Sequence, residues 1–106
     1  MRFNTLYVSK WGDGDPEDAR VIETPTYTLH SLIAGDSCDR FDVIGKYCRV
    51  NGIHSVVLCP GFTNTMVARV AAEVGENVAV AVSRTDGPGS GLTAGLKEKA
   101  REGLKT

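Results

Sequence analysis

The residues most able to do chemistry gather in a few short stretches. Cys59-Pro60-Gly61-Phe62-Thr63-Asn64 joins a thiol, a glycine turn and a polar helix start. A thiol just ahead of a helix N-terminus can act as a nucleophile, because helix-terminal amides favour the thiolate. The plain alternative is a small buried side chain, the commoner fate of a free cysteine. Free amides near Gly61, with the side chains of Thr63 and Asn64, suit a phosphate or carboxylate. The alternative there is an ordinary turn and N-cap. Ser83-Arg84-Thr85-Asp86 adds a guanidinium that can grip a carboxylate in bidentate fashion, and a second acid. Arg84 and Asp86 could equally pair with each other at the surface.

Three further positions belong to the same expectation. Glu23, before Thr24-Pro25, is a candidate general base, set against a structural role at the surface. Trp11, the sole tryptophan, sits in a loop and suits either a flat ligand or a protein interface. The expected site therefore takes Cys59, Asp86 and Glu23 as proton-transfer or nucleophilic groups. Gly61, Thr63, Asn64, Arg84 and Trp11 would hold the ligand. His54 starts the strand that ends near Cys59 and would lie roughly 15 Å from it at strand rise, too far to be its base. His30 falls in mid-strand and reads as a satisfied core or interface histidine.

These residues need a scaffold that brings strand ends together. Phe3 to Val8 reads as a strand, and Ser9 to Pro16 as a loop broken by Gly12, Gly14 and Asp15-Pro16. A helical turn from Pro16 to about Arg20 leads into extended chain ahead of Pro25. Tyr27 to Ala34 is a second strand, followed by a helix capped at Asp36 or Ser37 that runs to about Val50 and stops at Asn51-Gly52. Ser55 to Leu58 is the third strand. Thr63 or Asn64 caps a helix in which Val67, Val70, Ala71 and Val74 recur at helical spacing. Val78 to Val82 is a fourth strand, fully apolar and so expected to be central or covered on both faces. Gly87-Pro88-Gly89-Ser90-Gly91 is a linker or lid, and a last helix spans about Leu92 to Glu102 with a thin apolar face.

Alternation of strands and helices predicts one α/β domain over residues 1–106, with four mostly parallel strands and helices packed against the sheet. A ferredoxin-like arrangement with the first two strands antiparallel is the alternative. The loops after the strands would meet at the C-terminal edge of the sheet, where α/β proteins place their sites. The thin last helix needs tertiary or intersubunit packing to be stable; four strands, two of them fully apolar, leave sheet or helix surface exposed, which predicts self-association, most simply a homodimer.

The segment Asp15-Pro16-Glu17 with Ile22-Glu23-Thr24-Pro25, together with Leu58-Cys59-Pro60-Gly61-Phe62, resembles a family of small prokaryotic α/β proteins catalogued as a domain of unknown function. The resemblance runs over about residues 3 to 86. The chain departs from that pattern at Pro60, where the family has Gly, and at Thr63-Asn64-Thr65, where it has Gly-His-Glu-like residues. The resemblance implies an α/β fold and brings no reaction with it.

Composition narrows the function classes. The chain has 106 residues, 42% of them apolar and 24% charged, with a formal net charge of −1. That balance gives no electrostatic footprint for nucleic acid or an anionic membrane, and no apolar run is long enough to span a bilayer. Met1 to Thr5 enters a strand pattern without a signal-peptide apolar region, so a cytosolic protein is expected. Three cysteines without a CxxC pair, and two histidines, give no disulfide framework or zinc set. No nucleotide or flavin motif is present, so no cofactor is expected. The expectation is a small oligomeric protein that takes a compact anionic or carbonyl metabolite, with a cofactor-independent lyase, isomerase or cyclase as its catalytic form. A non-catalytic metabolite-binding module is the second reading. An assembly protein docking through Trp11 and the last helix is the third.

Overall fold

The computed structural model describes residues 1–35, 40–83 and 87–104. The elements are β1 (Phe3–Lys10), β2 (Arg20–Glu23), β3 (Tyr27–Ala34), α1 (Phe41–Asn51), β4 (Ser55–Leu58), α2 (Asn64–Val74), β5 (Ala79–Val82) and α3 (Ser90–Leu104). They build one mixed sheet in the order β2-β3-β1-β4-β5. β1 pairs in parallel with β3, from Phe3 beside Tyr27 to Lys10 beside Ala34, and with β4 on its other side. β4 and β5 are also parallel, while β2 runs antiparallel along β3. The α/β expectation holds, and the parallel β1–β3 pair removes the ferredoxin-like alternative.

Two expectations are corrected. The sheet has five strands, because the extended chain before Pro25 joins it. Val21 and Ile22 favour the pleated conformation, and Thr24 closes the bend into β3. Its amide donates to the Tyr27 carbonyl at 2.8 Å, and its Oγ1 accepts from the Tyr27 amide at 2.9 Å. The fully apolar β5 is an edge strand, with Ala79, Ala81 and Val82 exposed. A short apolar run reads as a covered strand, but two of its four side chains are alanines that bury little area.

The core lies on one face of the sheet. Leu6, Val8, Leu32, Ala34, Val56 and Leu58 alternate toward it and meet Phe41, Ile44 and Cys48 of α1 and Val70 and Val74 of α2. The crossovers β3–α1–β4 and β4–α2–β5 travel the same way across the sheet, so right-handed connections place both helices on the same side. They touch closely at Gly45, where a Cβ would come within 2.6 Å of the Glu73 carbonyl oxygen. α1 ends at Gly52 in the left-handed conformation, φ 60°, a backbone position that suits glycine. Its expected caps, Asp36 and Ser37, lie outside the described residues. α2 is capped by Thr63, whose side chain accepts from the Met66 amide.

The connection from β1 to β3 travels the opposite way. In a doubly wound sheet it would carry a helix over the second face. Here it forms a loop and the edge strand β2, so among the described residues no helix covers that face.

Candidate functional site at the C-terminal edge of the sheet

β1 and β4 are neighbours whose connections leave in opposite directions across the sheet. Such a switch point opens a crevice at the C-terminal ends of the two strands. Cys59 follows β4 there, and its amide donates to the Val8 carbonyl at 2.9 Å. The Lys10 amide, at the end of β1, donates to the Cys59 sulfur at 3.2 Å. The turn closes when the Phe62 amide donates to the Cys59 carbonyl at 3.2 Å, and the Phe62 ring is buried beneath it. Gly61 stays exposed at the tip. A Cβ added to Gly61 would lie 3.5 Å from the Cys59 sulfur and 3.7 Å from the Lys10 Cβ, ordinary van der Waals contact, so the turn tip sits beside both groups.

α3 forms the facing wall. Between it and the turn lies a cleft of about 620 Å³, lined by Pro60 and Gly61 of the turn, by Gly87 and Pro88, and by Thr93, Lys97, Glu98 and Arg101 of α3. That size suits a small ligand. The Arg101 guanidinium sits 5.1 Å from the centre of the Trp11 ring, a cation–π distance. Trp11 is held in place by its amide, which donates to the Ala34 carbonyl at 2.9 Å. The tryptophan thus props the end of α3 against the sheet edge. The start of α3 is fixed by Gly89, φ 83°, whose carbonyl accepts from the Thr93 amide at 3.0 Å. The segment 87–91, expected to be a linker or lid, therefore supplies three cleft residues, Gly87, Pro88 and Ser90, and the first turn of the helix.

The residues expected from the sequence divide into four groups. Cys59, Gly61 and Trp11 come together at this edge. Thr63 and Asn64 do not line the cleft: Thr63 spends its hydroxyl on the Met66 amide, at 3.3 Å, and Asn64 is exposed in the first turn of α2. Glu23 stands at the other end of the sheet. It lies beside Thr28 in the first half of β3 and pairs with Arg2, ahead of β1, at 3.6 Å. As an antiparallel strand, β2 carries its last residue away from the C-terminal edge, which is why a base expected beneath the crevice is found far from it. Arg84 and Asp86 lie outside the described residues.

Lys97, Glu98 and Arg101 escaped the sequence reading. Their signal was a polar stripe, Thr93, Lys97 and Arg101, at spacing i, i+4 and i+8, opposite Leu92 and Leu96. A stripe of that kind normally marks the solvent face of a helix, and here it faces the cleft.

Three other reactive groups, Cys48, His30 and His54, are placed structurally. The Cys48 thiol is buried in the core, and burial pushes it up to about 11. His30 is buried on β3 and its Nδ1 lies 2.6 Å from the Tyr47 hydroxyl of α1. Burial lowers His30 from its ordinary value, against a smaller opposing pull from Glu23, and burial raises Tyr47. His54 accepts from the Asn4 amide through Nδ1 at 2.9 Å, at the end of β4 remote from Cys59. Among the described residues no group of three or more His, Cys, Asp or Glu could hold a metal ion, and no helix is long and apolar enough to cross a membrane.

Compared with known proteins, residues 2–97 match the model of a family of unknown function, DUF6506. The chain belongs to that family. The family carries no assigned reaction, in line with the resemblance drawn from the Asp15–Glu17, Ile22–Pro25 and Leu58–Phe62 segments. No curated protein and no solved structure matches the chain. The reading of function therefore rests on the cleft.

Proposed function

We propose that this protein binds a compact anionic metabolite, a small phosphate or carboxylate, in the cleft between the Cys59–Phe62 turn and α3. The observation that carries this is the placement of Lys97 and Arg101 on the wall that faces Pro60 and Gly61. Two cations against one carboxylate, Glu98, leave that wall net positive, and the Gly61 turn admits a ligand close to the backbone. Opposite charge at short range draws an anion to that wall.

Geometry favours binding over proton-transfer catalysis. An acid–base enzyme needs its groups within hydrogen-bond reach of one point. Glu23 is at the opposite end of the sheet, and Glu98 is the acid lining the cleft among the described residues. The proposal is thus a metabolite-binding module built on an enzyme-like sheet edge.

A thermal-shift screen with phosphates, short carboxylates and keto acids tests it. A ligand at about 100-fold over its Kd adds about 2.7 kcal/mol of stability, enough for a visible rise in melting temperature. The expected result is a rise with at least one of these anions that is lost in Lys97→Ala/Arg101→Ala. No rise with any of them, or a rise that survives in the double variant, refutes the site. Turnover of a bound anion that Cys59→Ser abolishes would replace the binding reading with an enzymatic one.

A further inference from the structure

Glu98 is out of place in a cleft built for a plain anion. It lines that cleft together with Lys97 and Arg101 of the same helix. Glu98 and Arg101 stand three residues apart, a spacing at which helical side chains meet and opposite charges pair. They do not pair here. Among the described residues Lys97, Glu98 and Arg101 enter no ion pair, and the Arg101 guanidinium lies against the Trp11 ring instead, 5.1 Å from its centre. Lys97 and Arg101 in turn stand four residues apart, a like-charge spacing that a helix disfavours. The α3 wall thus offers two cations that lack a counter-charge and one carboxylate that neutralises neither.

We propose that the ligand this cleft prefers is an acidic amino acid, a small molecule with two acid groups and one ammonium group. The proposal rests on the anion-binding reading above and narrows it. Charge complementarity carries it. The two acid groups answer Lys97 and Arg101, the ammonium answers Glu98, and neither ligand nor wall keeps an unmatched charge. A plain dianion of the same shape matches the cations but leaves Glu98 unmatched beside it, a like-charge element that selects against the wrong ligand. A plain cation meets two like charges. Spacing agrees: Lys97 and Arg101 are separated by about 6 Å along the helix axis, a span that a short chain with an acid group at each end covers. The hydroxyls of Ser90 and Thr93, on the same wall, can accept from the ammonium or donate to a carboxylate. Glu98 is solvent-exposed, so its part in selection is that of a solvated ion pair, about two- to fivefold in affinity.

Proton–nitrogen NMR titrations at about pH 7, where the carboxylates and the ammonium are charged, give dissociation constants for glutamate, 2-oxoglutarate and inorganic phosphate. Glutamate and 2-oxoglutarate share both carboxylates and differ at one carbon, which carries an ammonium in the first and a keto oxygen in the second. The wild-type chain is expected to bind glutamate about two- to fivefold more tightly than 2-oxoglutarate, with shifts in the Gly61 and α3 amides. Glu98→Gln keeps the size of the side chain and removes its charge. It is expected to weaken glutamate, to leave 2-oxoglutarate at least as tight as in the wild type, and so to abolish the preference. A wild type that holds 2-oxoglutarate or phosphate as tightly as glutamate overturns the acidic amino acid and leaves the anion site standing. So does a preference for glutamate that survives Glu98→Gln. No saturable shift with any of these ligands overturns both readings.

Discussion

α2 and α3 each follow a parallel strand and each have an apolar stripe, yet they end in different places. In α2, Val70 and Val74 are buried and the helix is pinned at both ends, by Thr63 at the start and by the return into β5. In α3, Leu92 is 70% and Leu96 57% exposed, and the polar side of the helix faces the body. Nothing in the described chain returns from α3 to the sheet. One attachment to the sheet edge is Arg101 on Trp11. The difference is one of work: α1 and α2 hold the fold, and α3 shapes the cleft. A helix that contributes little core is free to carry a binding surface and to move when a ligand arrives.

That contrast gives predictions in falling order of effect. Ile44→Ala removes a fully buried side chain from the α1 layer and should cost about 2–5 kcal/mol, read as a lower urea midpoint. Gly45→Ala should follow at about 1–3 kcal/mol, because the added methyl meets the Glu73 carbonyl at the α1–α2 contact. Leu96→Ala, by contrast, should change the stability of the fold by less than about 0.5 kcal/mol. A large loss there would mean that α3 belongs to the core and would erase the distinction.

The edge of the helical layer offers a pH test. His30 is buried against Tyr47 and titrates below its ordinary 6.5. The unfolded chain therefore takes up this proton before the folded one does. Stability from this group is complete above about pH 6.5 and falls as pH drops through that value, levelling off only below the folded-state value. Urea unfolding between about pH 7.5 and about pH 5.5 should show this slope, and His30→Gln should flatten it. An unchanged slope in the variant would mean that His30 does not sense burial in this layer.

The sequence was most legible where one periodicity served one surface. Val67, Val70, Ala71 and Val74 marked α2, and the placement of Cys59 at a strand end marked the edge where the cleft lies. It was least legible where the same pattern has two uses. The apolar run of β5 fits a covered strand or an edge, and only the pairing order decides. Val21 and Ile22 fit a loop approach to Pro25 or a strand, and hydrogen bonds at Thr24 decide for the strand. That choice also moved Glu23 to the far end of the sheet. The polar stripe of α3 looked like a solvent face because sequence spacing shows which residues share a side, but not what that side meets.

The central claim is that α3 and the Cys59–Phe62 turn enclose an anion site. The most direct measurement is a proton–nitrogen NMR titration of the labelled chain with inorganic phosphate and with a short 2-keto acid. The account predicts saturable shifts in the amides of Gly61, Gly87 and residues 93–101, with the indole of Trp11 responding as Arg101 adjusts. Saturable shifts confined to the open sheet face around Leu29 and Val57, or no saturable shift with either anion, would contradict it.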